Sequence, residues 1–240
     1  MTKEHSAIEV RGIAVQIVRK NIKNLHLGVY PPDGRVRVAA PKRLDDDAVR
    51  LAVIDRLPWV RRQIQAFEQQ PRLPEPQYIT GESHYSLGQR YRLDVIEANA
   101  PPRVRLRNQR FMELQVRPGT DHGKRGEIIN RWYREQLHAL WPERLARWQP
   151  RVGVQVDEVR VRRMKTRWGS CNALARRIWL NTALATKPLE CLDYILVHEM
   201  THLLERHHND RFRQLLDHAM PNWRLYRDRL NQTPLAHDSW

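Results

Sequence analysis

The stretch that most constrains this chain runs from Pro188 to Arg206 and contains His198-Glu199-Met200-Thr201-His202. Leu189, Leu192, Leu196, Met200 and Leu203 recur at helical spacing and Pro188 suits a first helical turn, so the segment predicts one helix with an apolar stripe. Histidines at i and i+4 leave a helix from one face and can grip a single ion. Glu199 points about 100° from His198 and about 60° from His202, which lets its carboxylate reach a water on that ion without being a ligand. Ile195 flanks the histidine face and Val197 lies farther round, so the helix is expected to be buried over most of its circumference. A bare imidazole pair there would be costly, which favours a metal over a helix with surface histidines. Two further imidazoles, His207 and His208, follow within a turn or two.

A catalytic metal of this kind asks for three protein ligands and one open position. The reaction class that follows is metal-assisted hydrolysis, with a carboxylate at Glu199 taking a proton from water and passing it to the leaving group. Arg167 and Trp168 are candidates to hold substrate or to stabilise developing negative charge, since arginine is a fixed donor fork. The competing reading of that stretch is structural, with Trp168 in the core and Gly169 in a turn. Asn181 is a third substrate-site candidate, and both Asn181 and Asp217 could orient a ligand histidine through its other nitrogen.

Composition narrows the setting. The chain has 240 residues, 41% of them hydrophobic, with no apolar run near the length of a membrane span. The first six residues lack the pattern of a secretory signal, and two cysteines, Cys171 and Cys191, are too few for a disulfide framework, so a reducing cytoplasm is expected. Cys191 shares a helix face with His198 but sits about 10 Å along it, too far for the same ion. The formal charge of +15 raises nucleic acid or nucleotide as a partner. Its weight is reduced because 35 of the 42 basic residues are arginines scattered along the chain, without a basic tail or a glycine-rich phosphate loop.

In chain order, Ile13–Val18, Leu25–Val29 and Arg35–Val38 alternate as strands of a small antiparallel sheet, with Pro31-Pro32-Asp33-Gly34 as a tight turn. Asp45 opens a helical stretch to about Gln69 that Pro58 should kink or divide. A proline-rich connector, Gln70–Pro76, precedes a second strand-like region, Tyr78–Val95 and Val104–Val116. No repeat is visible. A helix from about Gly123 to Trp148, which Pro142 could split, is expected to bury against the metal helix. Val154–Arg163 and Arg176–Asn181 read as strands, and Ile178–Asn181 is the expected edge for holding an extended peptide. Asn209 or Asp210 caps a helix carrying Phe212, Leu215 and Leu216, and Pro221-Asn222-Trp223 starts a last one.

The set Arg167-Trp168-Gly169-Ser170-Cys171, Ile178 to Asn181, and His198-Glu199-x-x-His202 with His208 and Phe212 beyond it resembles the YgjP-like family of metallopeptidases, relatives of the SprT-like group. The resemblance extends back through Gly81–Leu93, Leu57-Pro58-Trp59 and Pro31–Pro41. It implies zinc ligands His198, His202 and His208, with Glu199 as catalytic base. His207 and Asn209 depart from the usual family residues without touching that motif. The reading is an α+β protein in which a largely β N-terminal half, residues 1–120 with one helix near 43–69, packs on a helical zincin-like half, residues 121–240. Its expected activity is zinc-dependent hydrolysis of peptide or unfolded protein by a zinc-bound water that Glu199 activates. The rivals are a UTP-type nucleoside triphosphate pyrophosphatase, a SprT-like protease working on nucleic acid, and a structural metal site, which an intact Glu199 argues against.

Overall fold

Alternation of buried and exposed residues builds two sheets of the same design, one in each of two compact units, Met1–Arg72 and Leu73–Trp240. The computed structural model describes residues 5–30, 34–69, 76–164 and 167–232. The expected turn at 31–33, most of the proline-rich connector, Lys165-Thr166 and the tail from residue 233 lie outside them.

In the first unit, β1 (His5–Val10), β2 (Ile13–Lys20), β3 (His26–Tyr30) and β4 (Arg35–Pro41) are followed by α1 (Asp46–Asp55) and α2 (Leu57–Gln69). The strands lie in the order β1-β2-β4-β3. The β2–β4 pair is parallel and the outer pairs antiparallel, so the sheet is mixed and not the purely antiparallel one expected. Val15, Ile17, Val36 and Val38 share a small core with Val49 and Val53 of α1. Asp45 caps α1 by accepting the Ala48 N–H at 2.7 Å. Pro58 divides the helical stretch as expected, falling in the first turn of α2 where its missing N–H costs least.

The second unit opens with β5 (Ser83–Ser86), β6 (Gln89–Glu97), β7 (Arg103–Arg107) and β8 (Phe111–Val116), in the order β5-β6-β8-β7. Again the middle pair is parallel and the outer pairs antiparallel. Next come α3 (His122–Val152), β9 (Glu158–Arg162), β10 (Gly169–Asn172), β11 (Arg177–Asn181), a short 3-10 turn (Thr182–Thr186), α4 (Leu189–Thr201), α5 (Asp210–Ala219) and α6 (Trp223–Gln232). Pro142 does not split α3. The helix runs 31 residues, from an Asp121 cap to Gly153 in the left-handed region at φ 75°, with Leu137 and Leu145 buried on either side of the proline. Leu93, Met112 and Leu114 of the second sheet share one core with Ile129 and Leu137 of α3 and with Leu192 and Leu196 of α4. The unit boundary therefore falls ahead of β5, and not near residue 120 as the sequence suggests. The mixed α and β content is as expected, with a third sheet, β10-β11-β9, set among the C-terminal helices. Among the described residues no helix is long and apolar enough to cross a membrane.

Candidate metal centre

Helix α4 is buried nearly all round: of its residues from Cys191 to Thr201 only His198 is partly exposed. The helix stops at Thr201, five residues short of the expected Arg206. Three successive N–H groups, of Leu203, Leu204 and Glu205, return to the carbonyls of Met200 and Thr201 at 2.9 to 3.0 Å and tighten the last turn. His202, the C-cap, still has α-helical dihedrals (φ −67°, ψ −12°), so its imidazole keeps to the His198 face.

The tightened turn places the third histidine. The Glu205 carboxylate accepts the His207 N–H at 3.0 Å, and Asn209 caps α5 by accepting the Phe212 N–H at 2.9 Å. Between these anchors His208 is directed at the helix: its Nε2 lies 3.1 Å from Nε2 of His198 and 3.0 Å from Nε2 of His202. His207 is exposed and outside the cluster. Phe212, 2% exposed, packs against all three imidazoles with ring centroids 4.7 to 5.0 Å away.

These nitrogens suit a shared cation. A neutral imidazole Nε2 offers one hydrogen or one lone pair, so His208 cannot make good hydrogen bonds to both neighbours at once. His202 Nδ1 contacts the Glu205 carbonyl at 3.1 Å; as the donor there it leaves Nε2 as a bare lone pair. Zinc–nitrogen bonds of about 2.0–2.1 Å put tetrahedral ligand atoms about 3.3 Å apart, close to the spacings here. Burial, with the neighbouring imidazoles, pushes His198 down to about 3, and burial also lowers His202. Both are thereby held in the neutral form that ligates metal.

Glu199 is 5% exposed, and burial pushes its carboxyl up to about 8 against the opposing charge of Arg167. Its wall is Gly169 of β10: a Cβ there would come within 2.7 Å of Glu199 Oε1 and 2.9 Å of Ile195 Cγ2. Tyr194, stacked on Trp223 of α6, meets the His198 ring edge-on at 5.7 Å. Motif spacing gave no role to Tyr194 or the Glu205 carbonyl, Phe212 stood in the motif without one, and Gly169, read as a turn residue, instead begins strand β10.

The remaining candidates separate. Arg167 is exposed and acts electrostatically on Glu199, while Trp168 is half-buried against the main core with Lys187 Nζ 5.5 Å from its ring. Asn181 is wholly buried: its amide nitrogen donates to the carbonyls of Met164 (2.8 Å) and Arg167 (2.7 Å), and its oxygen accepts the N–H groups of Met164 and Ala183. Every polar site of that side chain is taken, so it clamps the segment ahead of β10 and cannot itself bind substrate or orient a histidine. Asp217 accepts Trp223 Nε1 at 2.8 Å and pairs with Arg224.

The free strand edge is also not where it was expected. β11 is the middle strand, paired with β10 on one side and β9 on the other, so Ile178–Asn181 offers no free edge. The outer strand beside Glu199 is β10. The Asn181 N–H donates to the Trp168 carbonyl, which sets the phase of the ladder and turns the main-chain groups of Gly169 and Cys171 to the free side.

Comparison with known proteins gives a match to the family described as YgjP-like, metallopeptidase domain, over residues 23–233. Among solved structures, the crystal structure of the metallopeptidase zymogen of Pyrococcus abyssi abylysin is similar at 24% identity, covering 37% of this chain and 90% of that one, with a TM-score of 0.35. No curated protein matches.

Proposed function

The chain belongs to the YgjP-like metallopeptidase family, and from that we propose that it hydrolyses peptide bonds through one zinc held by His198, His202 and His208, with Glu199 as general base. The observation that carries this reading is the convergence of three imidazole nitrogens beside a buried carboxylate that lies against the free strand β10. The arrangement is what is expected of a zincin-like hydrolase half.

Zinc held by His198, His202 and His208 would supply Lewis acidity and would bring the pKa of water to about 7. An extended substrate pairs with Gly169 and Cys171, which sets its scissile carbonyl over the histidine cluster. Glu199 takes a proton as water oxygen attacks the carbonyl carbon. It then delivers that proton to the amine nitrogen as the C–N bond breaks. Burial makes Glu199 a stronger base than an exposed carboxylate, and the nearby Arg167 charge limits how far. Asn181 keeps Arg167 and the start of β10 in place by holding the carbonyls of Met164 and Arg167.

Phosphoanhydride hydrolysis would require several cations at the open metal position. The charge of Arg167 bears on Glu199. Arg162 lies over the Trp179 ring at 4.3 Å, and the charge of Arg211 bears on Glu205. The free strand edge beside Glu199 favours a peptide. The test is an assay of the zinc-loaded wild type and Glu199→Gln against unfolded protein and a panel of nucleoside triphosphates. Glu199-dependent proteolysis is expected, whereas Glu199-dependent pyrophosphate release without proteolysis would overturn the reading.

A further inference from the structure

Strand β7 is the outermost of the β5-β6-β8-β7 sheet, so one row of its main-chain N–H and C=O groups has no strand partner. A groove of about 590 Å³ opens between its first residues and α3, walled by Val104, Ile128 and Trp132; Arg103, Arg117 and Arg131 stand on its rim, with Glu127 and Glu135 on the α3 side.

The two faces of β7 differ in chemistry. Val104 and Leu106 pair across the ladder with Leu114 and Met112, both fully buried, and so share the face turned to the core. Yet Leu106 is 41% exposed and Val104 only half-buried. In the first unit, β3 holds the matching place in its sheet, and there Leu27 and Val29 are packed against the core. Val104 is packed in the same way, so the second sheet differs in leaving Leu106 uncovered at its edge. On the other face stand Arg103, Arg105 and Arg107. Arg107 is paired with Asp94 and Glu113, but among the described residues Arg103, Arg105, Arg117 and Arg131 have no ion-pair partner.

We propose that the free edge of β7 docks an extended polypeptide segment in which apolar and acidic residues alternate. Added as a fifth strand, such a segment places one set of side chains on Val104, Leu106 and Trp132 and the other set on the arginine row, because strand side chains alternate with period two. The unpaired main-chain edge favours a polypeptide over nucleic acid, which has no main-chain amides to complete a ladder. That the segment belongs to a substrate rests on the peptidase reading; the docking itself does not.

Fluorescence anisotropy of short labelled peptides, alternating valine with glutamate or valine with lysine, tests this on full-length Glu199→Gln protein, where cleavage cannot contribute. Saturable binding of the valine–glutamate peptide is expected. The exposed pair Arg103→Glu and Arg105→Glu should weaken it at least about tenfold and shift preference to the valine–lysine peptide, since charge complementarity sets partner choice. The proposal is overturned by absence of saturation, by equal binding of both peptides, or by a double variant that binds like its parent. Single-stranded DNA binding the same rim in place of peptide, or self-association that the double variant abolishes, would also overturn it. Docking lost while Glu199-dependent proteolysis persists removes only this proposal; proteolysis lost while docking persists removes only the peptidase reading.

Discussion

Burial acts on His198 and Glu199 in opposite senses, disfavouring the imidazolium of one and the carboxylate of the other. Removing the metal should expose the second effect as a pH dependence of stability. In the metal-free folded protein Glu199 titrates near 8, against 4.5 as its ordinary value. The folded state therefore binds the extra proton between these limits, and its contribution is full below the lower one and lost as pH rises through the upper. Chelator-treated wild type should lose stability relative to chelator-treated Glu199→Gln at a slope approaching about 1.4 kcal/mol per pH unit across that window. Denaturant unfolding of both proteins from pH 5 to 9 checks it; parallel curves would contradict it. A second residue-scale outcome concerns the neighbouring histidines: His208→Ala should deplete zinc and His207→Ala should not, as metal analysis of the two variants will show. Gly169→Ala should keep the metal but push Glu199 aside, lowering kcat by roughly 10²-fold, the scale for misplacing a reacting group by about 1 Å. The i, i+4 spacing made His198, Glu199 and His202 legible as a group. Choosing His208 over His207 depends on a turn shaped by Glu205 and Asn209, and the Gly169 contact joins residues 30 positions apart that no local pattern links.

At the level of elements, alternation identified the strands but not their order. Arg176–Asn181 alternates well because it is the middle strand, and the free edge passed to its neighbour β10, a four-residue strand too short to show a pattern. The end of α4 was overextended because Leu203 continues the apolar stripe; it does so within a tight turn and not within the helix. Local propensity was likewise overruled at Pro142, where packing of α3 on both sides of the proline outweighs the missing hydrogen bond. Asn181 is the element-scale lever. Asn181→Ala removes four hydrogen bonds to the main chain and should cost about 2–4 kcal/mol, measurable by denaturant unfolding. With the start of β10 loosened, KM for peptide should rise while zinc content holds. Loss of zinc with unchanged KM would show that Asn181 serves the metal and not the strand.

Across the whole molecule, two sheets of one topology are each followed by helices, a duplication invisible in the sequence because hydrogen-bonded order does not depend on side-chain identity. The proline-rich connector was legible and does mark the division, but the second β region was grouped with the first, since strand patterns do not reveal which core they enter. The two cores are separate, so chelation should lower the calorimetric transition of the second unit and leave that of the first in place, by linkage of folding to ligand binding. The central claim is that three histidines hold the metal while Glu199 works beside it without holding it. Zinc content and proteolytic rate of Glu199→Gln, measured on the same preparation, test this most directly. The account predicts one zinc per chain with the rate down by roughly 10² or more, whereas a site emptied of zinc, or a rate equal to wild type, would contradict it.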